Sequence, residues 1–532
     1  MEKNNKQDGL GLLSVIWIGF NFIAGITFAC AFSSLVWNGE KGLGLNILWV
    51  DIIEGVIAFV CAWSFAKLVS YHPMANGGLS QYARTSFGKY WGLIGGLLNY
   101  MSLPLIASTM FVSTIRTNFG PGSAVNLLEK WGSFSSLYLD LMGFVVFILA
   151  AGVVFLGTRK YKYFTNIIGI LTWVLTLFVI VFAIGAFAMN GTKSLSFLAK
   201  AAPISNVDGK SFATTFMSIF FSFAGIETFI TSGQTIKDRA RNMPIGIVVI
   251  MILVTLFYIV FTFLVIGAVD IEGNGFGGNP SITLFQTWDQ HFDTGSTFKN
   301  IGAWVIIAAT LLMRFGSLIN ITMFGGLTLE PLARQGYVTS GVATPSAKTG
   351  LPVKAILITI GIFAITAALF LFLPDIVQGI TNSPSPFDYS SLAGVASIVM
   401  IGIYTLSIVT CLVQGFKKNI KLHIIEYIGF FATLAFIGFL LVMYFWTSII
   451  DGYTVGGTQG IVAATIQLLY ICSIFAVGCG LYFGYHKKFL RQIENDAAAK
   501  KELIEYEKVF TIITPEQTGL FNKTEKEQKE IT

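Results

Sequence analysis

About twelve apolar stretches run along this chain, separated by short polar connections. They lie at approximately 11–36, 46–69, 91–115, 138–157, 163–189, 211–232, 244–268, 300–328, 352–373, 391–414, 424–449 and 460–485. An α-helix needs about 20 such residues to cross a hydrocarbon core. The pattern therefore predicts an all-α integral membrane protein with about twelve transmembrane helices. The longer stretches have room to tilt or break. One connection, 269–299, contains Ser281-Ile-Thr-Leu-Phe-Gln-Thr-Trp-Asp-Gln290, which reads as a short helix lying over an outer vestibule.

Within the first and sixth stretches the tripeptide Ala-Gly-Ile recurs, as Ala24-Gly25-Ile26 and Ala224-Gly225-Ile226, each soon followed by Thr and Phe. Small residues at matching points of two apolar segments suggest paired helix breaks. An unwound helix exposes backbone N–H and C=O groups that lipid does not tolerate but a polar solute uses. Inverted-repeat transporters place their substrates at such breaks. Taken alone, the match is equally explained by two ordinary glycines at close helix contacts.

Charge decides between orientations. Charged residues make up 12% of the chain, half of the roughly 25% that a soluble domain carries on its surface. Mean hydropathy is +0.72, which excludes a soluble fold. The net charge of +6 is not a nucleic-acid signal, because the basic residues sit in short clusters between spans. About 20 Lys and Arg fall on one side of the bundle, among them Arg159, Lys160 and Lys162, and Lys417, Lys418 and Lys421. About seven fall on the other, which also carries Asp270, Asp289, Asp375 and Asp451. The positive-inside rule then puts both termini in the cytoplasm and makes the first and sixth spans antiparallel, as an inverted repeat requires.

Other chemistry is sparse. The five cysteines lie inside apolar spans without CxxC spacing, and the four histidines are scattered, so neither a disulfide framework nor a metal site is expected. Residues 1–8 are polar and no cleavable leader is expected. No GxxxxGK[ST] loop is present, so no nucleotide or other cofactor is expected, and any transport runs on gradients or exchange. Deeply placed charges are few: Glu54, Glu227 and Arg314. That is too few for most membrane-embedded enzymes. The tail from about 487 is rich in Lys and Glu and reads as a partly disordered segment.

Several motifs carry a family resemblance. Between spans two and three the chain reads Pro73-Met-Ala-Asn-Gly-Gly-Leu-Ser-Gln-Tyr82, then Phe87-Gly88. This resembles the Pro-x-x-Gly-Gly-x-Tyr signature of the amino acid–polyamine–organocation superfamily, with an extra residue before the Gly pair. Phe221-Ser-Phe-Ala-Gly-Ile-Glu227 is similar to the family's Phe-x-Gly-Phe-Glu, and Pro244 follows a basic loop as in the family. Leu332-Ala-Arg-Gln-Gly-Tyr337 and Lys348-Thr-Gly-Leu-Pro352 match further segments, and Ala24-Gly-Ile-Thr-Phe28 stands where the family has Gly-Ser-Gly-Ile-Phe.

The resemblance implies a 5+5 inverted-repeat core of the LeuT type with discontinuous helices 1 and 6. The expected organisation is an N-terminus at 1–10, a core at 11–414 with repeats at about 11–189 and 211–414, two additional helices at 424–485 and a tail at 486–532. It also implies a secondary active transporter, permease or exchanger, that moves an amino acid across the plasma membrane by alternating access, with a proton or sodium as a coupling ion. Substrate binding then falls to Ala24, Gly25, Ile26, Phe221, Ala224, Gly225 and Ile226, with Phe221 as an aromatic lid and Glu227 in proton coupling or gating. Arg314, near the middle of the eighth span, has two readings. It pairs with Glu227 or Glu54, or it binds a carboxylate of the substrate. The second points to the glutamate/GABA antiporter type. A channel-like protein and a transport-inactive amino acid sensor are the rival functions.

Overall fold

The computed structural model describes residues 11–23, 36, 43–72, 78–119, 131–201, 209–223, 225–230, 236, 238–270, 280–346, 349–382, 387, 389–494, 496, 500–501 and 503–504. The chain forms a helical bundle. In order the helices are α1 (Leu12–Ile23), α2 (Ile47–Tyr71), α3 (Leu79–Phe87), α4 (Lys89–Phe119), α5 (Ser135–Val154), α6 (Thr158–Asn190), α7 (Thr192–Ala201) and α8 (Gly209–Phe220). They continue as α9 (Ile226–Phe229), α10 (Arg239–Ala268), α11 (Pro280–Phe292), α12 (Thr297–Arg334), α13 (Val353–Thr381), α14 (Tyr389–Phe416), α15 (Ile424–Thr454) and α16 (Gly457–Ile493).

Among the described residues, ten helices are long and apolar enough to cross a membrane. Two shorter apolar helices, Leu12–Ile23 and Thr215–Phe229, complete the pattern. These two are the spans in which the sequence places helix breaks. The expected short helix before the eighth span is α11. It packs sideways, with the Trp288 indole seated against Gly185 of α6 and its Nε1–H donated to the Phe182 carbonyl at 3.1 Å.

Polarity is arranged for lipid. Ile170, Val174, Leu177, Val181 and Ile184 form an exposed apolar stripe along α6, while Asn99, Asp140, Glu227, Arg314 and Asn320 are buried. In water this would be costly; in a bilayer the outside is the apolar side. The most central span is α4, whose apolar window is 94% buried, against 28% for α15 and 22% for α16, which ride on the periphery. Buried hydroxyls on α4 bond back to the carbonyl four residues earlier, as in Ser108 to Pro104 and Thr109 to Leu105, so they add no unmet polar group.

Candidate functional site

The site is built where α1 ends. Its last turn is held from three sides. On α6, Trp173 stacks on Phe20 with centroids 4.6 Å apart, and its indole N–H is donated to the Asn21 side-chain carbonyl. On α12, Phe324 meets Phe22 edge-on at 5.2 Å. On α10, the Tyr258 hydroxyl lies 3.3 Å from the Ile23 carbonyl. Ala24, Gly25 and Ile26 lie outside the described residues, as does Ala224.

The sixth span is visibly interrupted. After α8 the chain tightens into a 3-10 turn at Phe221–Phe223, and then resumes as the single turn α9 beyond Gly225. Gly225 has φ +121°, a backbone conformation that side chains with a Cβ rarely adopt. A Cβ there would also stand 2.6 Å from the Phe22 ring. Glycine is thus needed twice, for its torsion and for contact with α1. The same contact sets the end of α1 against the sixth-span break.

Two tyrosines fasten this junction. Tyr258 lies 3.1 Å from the Ser222 carbonyl as well as 3.3 Å from that of Ile23, so its one hydroxyl hydrogen serves both the end of α1 and the turn at the sixth-span break. Glu227 folds back on the break. Both its carboxylate oxygens are 3.1 Å from the Gly225 N–H, and Oε2 accepts a 2.7 Å hydrogen bond from the Tyr404 hydroxyl of α14. Tyr404 is itself wedged between Phe65 of α2 and Phe220 of α8. The carboxylate therefore joins the sixth-span break to α14.

Phe221, Ile226 and Glu227 are all fully buried at this junction. Arg314 is fully buried too, but ten residues, or about 15 Å, along α12 from Phe324. Among the described residues neither Glu54 nor Glu227 makes an ion pair. Sequence reasoning missed Tyr258, Tyr404 and the Asn21–Trp173 contact. One signal was available: a tyrosine in mid-span needs a hydrogen-bond partner when buried. Which partner it finds is not written locally.

Among the described residues, ten long apolar helices and two shorter ones, with the sixth span interrupted in the bundle interior, define a multi-pass membrane protein of the transporter class. A model of the amino acid permease family matches residues 10–485, and the chain belongs to that family. Its members carry amino acids across membranes. Among its relatives is an uncharacterized protein of Mycoplasma genitalium, 22% identical over 487 residues, covering 88% of this chain and 94% of that one. A cationic amino acid transporter of Arabidopsis thaliana, named as mitochondrial, is 22% identical over 378 residues, 68% of this chain and 55% of its own. The methylthioribose transporter of Bacillus subtilis is 21% identical over 319 residues, covering 59% and 64%.

Proposed function

We propose that this permease is a secondary active transporter that binds one amino acid where its first and sixth spans are interrupted, and moves it by alternating access. The contact between Gly225 and Phe22 supports the reading, because the end of the first helix lies against the sixth-span break. Backbone N–H groups at the first break would take the substrate carboxylate. Carbonyls at the sixth break would take its ammonium. Glu227 is assigned to gating, since donors from Gly225 and Tyr404 already occupy its oxygens. Phe221, in the turn that follows α8, is proposed to close over the site.

The proposed core is the inverted repeat 11–189 and 211–414, followed by two further spans at 424–485. The basic loops are proposed to face the cytoplasm, with both termini on that side and the protein in the plasma membrane. The substrates named for the relatives differ from one another, so the site must choose the substrate. Arg314 is proposed to draw a carboxylate towards the break, which favours an acidic amino acid.

Counterflow in proteoliposomes with a panel of labelled amino acids tests the reading. Uptake is expected for the wild-type protein and absent in Gly225→Leu at equal protein insertion. Uptake that survives in Gly225→Leu would show that the substrate binds elsewhere.

A further inference from the structure

A buried acidic pair on α2 takes no part in the site described above. Asp51 and Glu54 lie one helical turn apart and share a face of α2. Their relative exposures are 4% and 0%. Neither oxygen of Glu54, nor Oδ2 of Asp51, has a hydrogen-bond partner, although all three are sealed from solvent. The side chain of Thr262 on α10 stands within reach of the Asp51 carboxylate.

Among the described residues, no salt bridge neutralises either acid. Among the described residues, the titratable groups on helices packed against α2 include Tyr258 on α10, Glu227 on α9, Tyr404 and Cys411 on α14, and Glu426, Tyr427, Tyr444, Asp451 and Tyr453 on α15. Cys61 lies on α2 itself, near Glu227. Lys67 is 13 residues, or about 20 Å, further along α2 and is bound to Glu426 of α15 at 2.8 Å. Lys210 opens α8, and Arg239 and Arg241 open α10 at its other end. These basic residues stand at helix starts in the sequence, remote from Asp51 and Glu54 along the chain. No third His, Cys, Asp or Glu joins the two to complete a metal site among the described residues.

We propose that Asp51 and Glu54 form a proton-binding site of the transport cycle, separate from Glu227. The inference rests on the transporter reading. Two adjacent carboxylates without a cation repel each other when both are ionised, and a single proton bound to one oxygen removes that repulsion. Intramembrane acids of this kind mark proton paths. The link to the substrate site is α10. Thr255, Tyr258 and Thr262 form one stripe on that helix, spaced by three and four residues. A Cβ on Gly55 would lie 2.2 Å from Thr255, so α2 and α10 touch without a gap. Thr262 reaches Asp51 of the pair, and Tyr258, one turn away, holds the carbonyls of Ile23 and Ser222. Gain of a proton on the pair changes what Thr262 bonds to and thereby the seat of Tyr258. In each cycle the proton enters from water on one side, resides on a carboxyl oxygen, and returns to water on the other, leaving a carboxylate.

Proteoliposomes holding the full chain test this with a labelled amino-acid mixture. Counterflow at equal pH reports transport itself, and uphill uptake driven by a pH gradient reports the proton. The double variant Asp51→Asn/Glu54→Gln is expected to keep counterflow within about twofold of wild type and to lose stimulation by the gradient. Full stimulation in the variant overturns the proposal, as does wild-type counterflow driven by sodium and indifferent to pH. Absent wild-type counterflow instead overturns the transporter reading. A second measurement uses the wild-type protein alone. Dicyclohexylcarbodiimide adds to protonated buried carboxyls, and mass spectrometry should find it on Asp51 or Glu54 with more label at pH 5.5 than at pH 8.5. Equal or absent labelling across that range overturns the proposal.

Discussion

Three side chains concentrate the work of the site. Tyr258 spends one hydrogen on two carbonyls, so Tyr258→Phe leaves both without a donor inside the bundle. The expected loss is about 1–3 kcal/mol in stability, read as a lowered unfolding midpoint in detergent. Glu227 accepts from Gly225 and Tyr404, and Glu227→Gln replaces one acceptor oxygen with a donor. Counterflow is expected to fall roughly tenfold, about 1.4 kcal/mol, the scale of one buried hydrogen bond. Tyr404→Phe should lose less, since the Gly225 contact persists. Equal activity in Glu227→Gln and wild type would remove Glu227 from gating. Arg314→Ala is expected to give a folded protein that no longer exchanges acidic amino acids. Unchanged glutamate counterflow in that variant would free Arg314 from any role in substrate choice.

Between elements, buried charge joins helices that are far apart in sequence. Arg116 on α4 reaches Asp140 of α5 at 2.7 Å and Asp375 of α13 at 2.5 Å, and both acids are buried. Arg116→Ala would strand two carboxylates beside each other, which costs about 3–5 kcal/mol in comparable buried pairs. A large drop in thermal midpoint is expected, and Asp140→Asn should cost less because Arg116 keeps Asp375. An unchanged midpoint in Arg116→Ala would show the cluster to be dispensable. Asp289 does similar work outside the spans. It lies on α11 and accepts from the Phe298 and Lys299 N–H groups at 2.8 Å each, so it caps the start of α12 from another helix. Burial alone would raise its carboxyl, but the Thr294 hydroxyl, these backbone donors and the Lys299 charge hold it below the usual range.

At the scale of the whole molecule, acid is the condition to which the bundle responds. His72 follows α2 at its end, buried, with Nδ1 donating to the Leu68 carbonyl at 2.9 Å. Burial pushes the imidazole down from 6.5 to about 4, partly opposed by that hydrogen bond. Below pH 6.5 the unfolded chain binds a proton that the folded chain refuses. The stability contributed by neutral His72 is therefore complete above pH 6.5 and is lost as pH falls towards 4. Thermal unfolding between pH 7 and 4 should show this loss, and His72→Gln should flatten the upper part of that range. A wild-type midpoint that stays constant from pH 6.5 to 4.5 would contradict it.

The sequence by itself determined how many spans there are, which loops are basic, and which two spans carry small residues at matching depth. These are sums over neighbouring residues, and lipid enforces them locally: about 20 apolar residues cross, and charges stay out. Gly225 was legible for the same reason, because a glycine in a mid-span Ala-Gly-Ile advertises a backbone need before any partner is known. Only the tertiary structure decided what that need was, namely a φ of +121° pressed against Phe22. It also chose Tyr404, 177 residues from Glu227, and Asp375, 259 residues from Arg116. No local pattern could select those partners. A buried polar group announces that it requires one, but helix packing, which sums many weak contacts across the bundle, determines which side chain arrives.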